Sequence, residues 1–103
     1  MKNKLIYKQI SRLKKILLSE GFVIDGIFGS YARDEETKKS DVDILYHLNQ
    51  TFYERYSGFV GFEKLDEIKK IISSTLNKEI DLAPRTNLSQ TAKKYILDEV
   101  VYV

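Results

Sequence analysis

Two hydrophobic periodicities alternate along the chain, and this alternation constrains the fold more than any other feature of the sequence. Helical spacing recurs over residues 3–20, 62–77 and 88–98, where apolar residues return every three or four positions. Short runs typical of strands lie between and after these helices, at residues 22–28, 42–48, 79–83 and 100–103. The pattern predicts a single α/β domain over residues 1–103, with helices packed on a sheet.

Local signals set the expected ends of these elements. Gly21 offers a left-handed stop for the first helix, and Pro84 closes the third strand because proline cannot donate a ladder hydrogen bond. Either Thr86 or Asn87 can cap the last helix. Residues 49–61 carry aromatic side chains between glycines without a regular period, so we expect an irregular segment there.

Composition excludes several classes of protein and of metal site. The chain has 103 residues, no cysteine and one histidine, His47, which excludes disulfides, thiolate zinc sites and histidine-rich metal sites. Any metal would need oxygen ligands, which points to magnesium or manganese. No apolar run approaches the ~18 residues of a membrane span, and residues 1–6 lack the apolar stretch of a signal peptide. We therefore expect a cytoplasmic protein with no membrane partner.

The distribution of charge gives little support for nucleic-acid binding. The formal net charge is +2, and six of the positive side chains fall within residues 1–20. The same segment carries an apolar stripe at helical spacing, formed by Ile6, Ile10, Leu13 and Leu17. The basic residues are therefore interpreted as the solvated face of an amphipathic helix, and no direct nucleic-acid contact is expected.

The segment from Gly29 to Asp43 carries the strongest chemical signal. Gly29-Ser30 ends an apolar strand, ten residues intervene, and Asp41-Val42-Asp43 opens the next strand. A glycine at a strand end lets a phosphate approach the backbone, and the serine adds a hydroxyl donor. Alternation places the two aspartates on the same face of the strand, where neighbouring carboxylates favour a bound cation such as magnesium.

A third carboxylate belongs to the later strand. Asp81 lies between Ile80 and Leu82, whose apolar side chains should point to the core and leave Asp81 on the opposite face. If this strand pairs beside residues 42–48, Asp81 joins the other two carboxylates. Three carboxylates beside a phosphate cradle suit a two-metal site for in-line attack on a nucleotide phosphate. Asp81 could also accept the proton of the attacking hydroxyl.

The spacing of these residues resembles the signature of a known family. Gly29-Ser30, ten residues and Asp41-Val42-Asp43 match the signature of nucleotidyltransferases with the DNA polymerase beta fold. The small size resembles the minimal nucleotidyltransferases, the antitoxin partners of HEPN-domain toxins. The resemblance covers nearly the whole chain and implies an α/β (α+β) fold with a small mixed sheet and helices packed on it.

The resemblance also implies an activity and its site residues. The implied reaction transfers AMP from ATP to a tyrosine hydroxyl of a HEPN toxin, with which the antitoxin is expected to form a hetero-oligomer. Gly29 and Ser30 are expected to hold the triphosphate, and Arg33 to contact phosphate or the acceptor. Two magnesium ions, with manganese as the alternative, are expected on the carboxylates of Asp41, Asp43 and Asp81.

Some of these residues have a second interpretation. Arg33 could form a salt bridge with Glu35, Glu36 or another surface acid instead of contacting phosphate. Asp34 stands where many relatives have glycine, and its charge would oppose triphosphate binding if it faced inward. His47 is interpreted as a partly buried structural histidine.

The function also has alternatives. The chain could neutralise a toxin by binding alone, with an idle active site. It could also be a small nucleotidyltransferase that modifies an antibiotic hydroxyl, although no second domain covers an acceptor pocket. The aromatic side chains of residues 49–61 are interpreted as packing under a loop, with a partner surface or base-stacking wall as the alternative.

Overall fold

The computed structural model describes residues 3–86 and 88–103. Its helices are α1, α2, α3 and α4, at Lys4–Leu17, Gln50–Arg55, Phe59–Leu76 and Gln90–Glu99. Its strands are β1, β2, β3 and β4, at Phe22–Phe28, Val42–Leu48, Ile80–Pro84 and Val101–Tyr102. None of the helices in this described part is long and apolar enough to cross a membrane.

The strands form one mixed sheet in the order β3-β2-β1-β4. β1 pairs antiparallel with β2 and β4, whereas β3 runs parallel to β2. β1 is interrupted by a register shift between Ile24 and Gly26, which leaves Asp25 in a bulge. The predicted small mixed sheet with packed helices is confirmed.

One face of the sheet forms the hydrophobic core with α1 and α3. The stripe predicted for α1 is buried in this core, and Ile68 and Ile72 of α3 complete it opposite the strands. α1 begins where the Asn3 side chain accepts a hydrogen bond from the Ile6 N–H at 3.4 Å. The other face carries the charged side chains of β1 and β2.

Most of residues 49–61 are helical, in α2 and the start of α3, so the prediction of an irregular segment is wrong for all but residues 49 and 56–58. The Asn49 side chain caps α2 by accepting from the Thr51 N–H at 3.0 Å, and α3 already begins at Phe59. The aromatic residues of this segment divide into two groups. Phe52 is buried, whereas Tyr53 and Phe59 are exposed. The sequence did not predict α2 because a helix of six residues is too short to show a helical period.

The last helix begins later than predicted. Ser89, not Thr86, caps α4 by accepting from the Ala92 N–H at 3.1 Å. The other predicted cap, Asn87, lies outside the described residues. β3 extends through Pro84, which is compatible with its position at the edge of the sheet.

Candidate active site

Two of the predicted carboxylates lie side by side on neighbouring strands. Asp43 of β2 and Asp81 of β3 are paired in the parallel register. Their strand neighbours Val42 and Ile80 are buried in the core, so alternation turns both carboxylates to the opposite face of the sheet. The third carboxylate, Asp41, is exposed immediately before β2. The topology therefore brings the three aspartates to one end of one sheet face.

The surroundings of Asp43 disfavour the ionised form of its carboxyl. Burial of the Asp43 carboxyl, and then the charges of Asp81 and Asp41, raise its pKa from the ordinary 3.8 to about 6, while Arg33 acts in the opposite direction. Such a shift in pKa arises when a carboxyl is removed from water and then shares its site with like charges, without enough positive charge between them. A divalent cation would supply that charge.

The donor set fits magnesium or manganese, since it consists of carboxylate oxygens. Among residues 3–86 and 88–103, no group of three acidic or histidine side chains lies close enough together to hold a metal ion. Metal binding would therefore have to draw the carboxylates of Asp41 and Asp81 toward Asp43.

Gly29 closes the site on the β1 side. Its φ is +73°, a left-handed conformation that favours glycine. A Cβ on Gly29 would lie 2.1 Å from the Asp43 Oδ2 atom, so the Asp43 carboxylate occupies the space that a side chain would fill. The glycine is therefore required both by its backbone conformation and by the close approach of Asp43.

A tight turn follows Gly29. The N–H groups of Arg33 and Glu35 donate to the carbonyls of Gly29 and Ser30, at 3.2 and 2.9 Å. The buried Tyr31 side chain anchors the turn to the core. Within the described residues, the Ser30 N–H is left without a backbone acceptor. The turn thus begins beside Asp43, at Gly29.

Glu99, which sequence reasoning missed, holds this turn in place. Its Oε1 accepts from the Gly29 N–H at 2.9 Å, and its Oε2 accepts from the Arg33 guanidinium at 2.9 Å. Arg33 also pairs with Glu35 at 3.1 Å, so the salt-bridge interpretation of Arg33 is correct for this structure. Glu99 gave no local signal because 70 residues separate it from Gly29.

We expect Glu99→Gln to lower the Tm by a few degrees. The amide keeps the shape of the side chain but loses the ion pair with Arg33 and its charged bond to the Gly29 N–H. Thermal unfolding followed by circular dichroism measures the effect. Glu35→Gln is the matched control, since Glu35 is 65% exposed and its pair with Arg33 should contribute little. Equal Tm values for the two variants would contradict this role of Glu99.

Asp34 lies in the turn that follows Gly29, where its N–H donates to the Tyr31 carbonyl at 3.3 Å. Its φ is +55°, which explains why glycine suits this position and why an aspartate, which tolerates left-handed backbone, can replace it. Burial, and then the charges of Asp34 and Glu36, raise the pKa of the Tyr7 hydroxyl on α1. The negative charge of Asp34 therefore acts on the Tyr7 hydroxyl of α1.

His47 is partly buried and lies at the far end of β2 from Asp43. Its Nδ1 lies 3.0 and 2.9 Å from the two carboxylate oxygens of Asp25, the residue of the β1 bulge. A carboxylate only accepts, so Nδ1–H donates to Asp25. This arrangement agrees with the interpretation of His47 as a structural residue.

A mixed sheet with three carboxylates beside a Gly-Ser turn is the arrangement of nucleotidyltransferases. The family described as "Nucleotidyltransferase domain" matches residues 8–103. The chain therefore belongs to the nucleotidyltransferase family, as the sequence signature predicted.

Curated relatives support the same assignment. A chain from Methanocaldococcus jannaschii with the provisional name protein adenylyltransferase is 35% identical over 99 residues, which cover 93% of both chains. A second chain of that organism with the same provisional name is 31% identical over the same coverage. The protein adenylyltransferase MntA of Thermococcus cleftensis is 36% identical over 76% of this chain and 71% of its own.

Solved structures share the fold. One chain, described provisionally as a minimal nucleotidyltransferase, superposes with a TM-score of 0.75 at 18% identity, covering 100% of this chain and 97% of its own. A chain from a crystal structure of a toxin–antitoxin with AMP-PNP gives a TM-score of 0.67 at 17% identity. It covers 92% of this chain and 69% of its own. These likenesses confirm the polymerase beta-like fold.

Proposed function

We propose that this protein is an antitoxin that transfers AMP from ATP to a tyrosine hydroxyl of a partner HEPN-domain toxin. The observation that carries the proposal is the in-register pair of Asp43 and Asp81 beside Gly29. Relatives that are named protein adenylyltransferases favour a protein acceptor. The structural neighbour described as a toxin–antitoxin with AMP-PNP favours a toxin as partner.

The residues of the site have separate roles in this proposal. Gly29 and Ser30 hold the triphosphate and Arg33 donates to it, once phosphate displaces the Glu99 carboxylate from the Gly29 N–H and the Arg33 guanidinium. Asp41, Asp43 and Asp81 would hold two magnesium or manganese ions, which supply positive charge to the reacting phosphate when bound.

The reaction itself is an in-line displacement. The tyrosine oxygen forms a bond to the α-phosphorus while the bond to the bridging oxygen of pyrophosphate breaks, and pyrophosphate leaves. Asp81 accepts the phenolic proton, because a carboxylate on the exposed side of the edge strand can reach an incoming hydroxyl.

Intact mass spectrometry of the co-purified partner tests this proposal. With ATP and magnesium, we expect the partner to gain whole AMP units, and peptide mapping to locate them on a tyrosine. Chelation of the divalent metal should abolish the gain, since it removes the positive charge at the phosphate. An unchanged partner mass together with continued neutralisation of the toxin would instead support an antitoxin that acts by binding alone. Modification of an antibiotic without any protein partner would support the small-molecule alternative.

A further inference from the structure

The Glu99 carboxylate binds the same donors that the triphosphate uses in the proposed function. Its Oε1 atom accepts from the Gly29 N–H at 2.9 Å, and its Oε2 atom accepts from the Arg33 guanidinium at 2.9 Å. A backbone N–H at a glycine turn and a guanidinium are donor types by which proteins bind phosphate oxygens. A carboxylate and a phosphate cannot both accept from these two groups, so one must leave when the other binds.

The charge of Glu99 also opposes a triphosphate at this end of the sheet. Besides burial and the charges of the two neighbouring aspartates, the charge of Glu99 raises the pKa of the Asp43 carboxyl. Glu99 therefore lies within electrostatic reach of the carboxylates that are expected to hold the metal ions. Like charges that share a site repel each other, so a bound phosphate chain disfavours the present position of Glu99.

The Glu99 side chain can leave this position without unfolding the chain around it. Glu99 is the last residue of α4, and β4 begins two residues later, where Val101 pairs with Ile27 of β1. This pairing holds the backbone beside the turn while the side chain rotates. The side chain is 24% exposed and lines an open groove of about 660 Å³ along α4, which Lys94 also lines. A displaced carboxylate therefore has solvated space beside a positive charge.

We propose that Glu99 is an internal competitor for the phosphate site: triphosphate displaces its carboxylate from Gly29 and Arg33, and the carboxylate returns when the site empties. The proposal rests on the proposed function for the place of the triphosphate. It assigns to Glu99 the control of triphosphate affinity, because each triphosphate that binds must break the two Glu99 contacts. The same competition favours the release of pyrophosphate after transfer, since the returning carboxylate binds the donors that pyrophosphate leaves.

Calorimetric titration with inorganic triphosphate and magnesium tests this inference on the wild type and on Glu99→Gln. The glutamine keeps the shape of the side chain but has no charge with which to hold Arg33. We expect Glu99→Gln to bind triphosphate at least about tenfold more tightly, since binding no longer breaks a charged contact. Triphosphate should also raise the Tm of the variant more than that of the wild type, because only the wild type loses the Glu99 contacts on binding.

Asp98→Asn is the matched control. It removes the same charge from the neighbouring residue of α4, which is exposed. If acidic side chains of α4 merely repelled the anion, the two variants would gain affinity alike. Competition by Glu99 instead leaves the triphosphate affinity of Asp98→Asn close to that of the wild type, since exposed charges are largely screened.

NMR of the isotope-labelled Glu99 side-chain carboxyl follows the displacement itself. In the wild type, triphosphate should shift this carboxyl signal together with the amide signal of Gly29. Equal triphosphate affinities of wild type and Glu99→Gln, an equal gain in Asp98→Asn, or an unchanged carboxyl signal at saturation would overturn the inference, as would the failure of all three proteins to bind triphosphate. No acceptor protein is present, so these outcomes are independent of whether AMP transfer is observed.

Discussion

Asp43→Asn is expected to reduce AMP transfer at least about a thousandfold while making the metal-free protein more stable. The amide removes a charge that the proposed metal ions would need, and several kcal/mol of transition-state stabilisation depend on such a ligand set. The same exchange removes a carboxylate that burial and the charges of Asp81 and Asp41 disfavour. Loss of activity should therefore accompany a gain in the free energy of unfolding.

The pH dependence gives the sign and the size of that gain. The folded-state pKa of Asp43 is about 6, above its ordinary 3.8, so the folded protein binds a proton more readily than the unfolded chain. The stability contributed by this proton is fully present below pH 3.8 and is lost as the pH rises through about 6. Asparagine imitates the protonated form at every pH. After allowance for solvent screening, we expect a gain of about 1–2 kcal/mol at pH 7.5.

Thermal unfolding at several pH values, with and without magnesium, measures this effect. The Tm advantage of Asp43→Asn should be roughly 5–10 °C at pH 7.5 and should vanish near pH 4. Magnesium should raise the Tm of the wild type and leave that of the variant nearly unchanged, because only the wild type retains the full ligand set. A variant that is inactive but destabilised at pH 7.5 would contradict the inferred strain at Asp43.

The sequence predicted the carboxylate geometry because it depends on local alternation. Val42 and Ile44 are apolar and must face the core, so Asp43 faces away from it whatever the partner strand. Asp81 follows the same rule between Ile80 and Leu82. Only the pairing of β2 with β3 had to be assumed, and the parallel register then aligns Asp43 with Asp81.

Contacts between distant segments could not be predicted in the same way. Glu99 reaches Gly29 because it ends α4 just before β4, which pairs antiparallel with β1. This contact leaves no period or motif in the sequence, because it depends on the pairing of β4 with β1 in the finished sheet.

Gly29→Ala is expected to abolish transfer and to destabilise the fold. Its φ of +73° costs an alanine about 1–2 kcal/mol by itself. The added Cβ would also meet the Asp43 Oδ2 atom at 2.1 Å, so either the carboxylate or the Gly29–Arg33 turn must move. Because Glu99 fixes the turn through the Gly29 N–H, displacement of Asp43 is the easier response, and it removes a ligand from the site. We expect a loss of AMP transfer of at least about a hundredfold, the cost of misplacing a reacting group by roughly 1 Å.

Gly58→Ala is the matched control for this prediction. Gly58 precedes α3 with a φ of +64°, yet a Cβ there would meet nothing within 4 Å. Its exchange also forces an alanine to a positive φ, without steric contact and outside the carboxylate site, so the Tm should fall while AMP transfer persists. The difference in activity between the two variants therefore measures the approach of Asp43 to Gly29, separated from the left-handed backbone that both glycines share. Comparable activities at a temperature where both variants are folded would show that the site tolerates a side chain at Gly29.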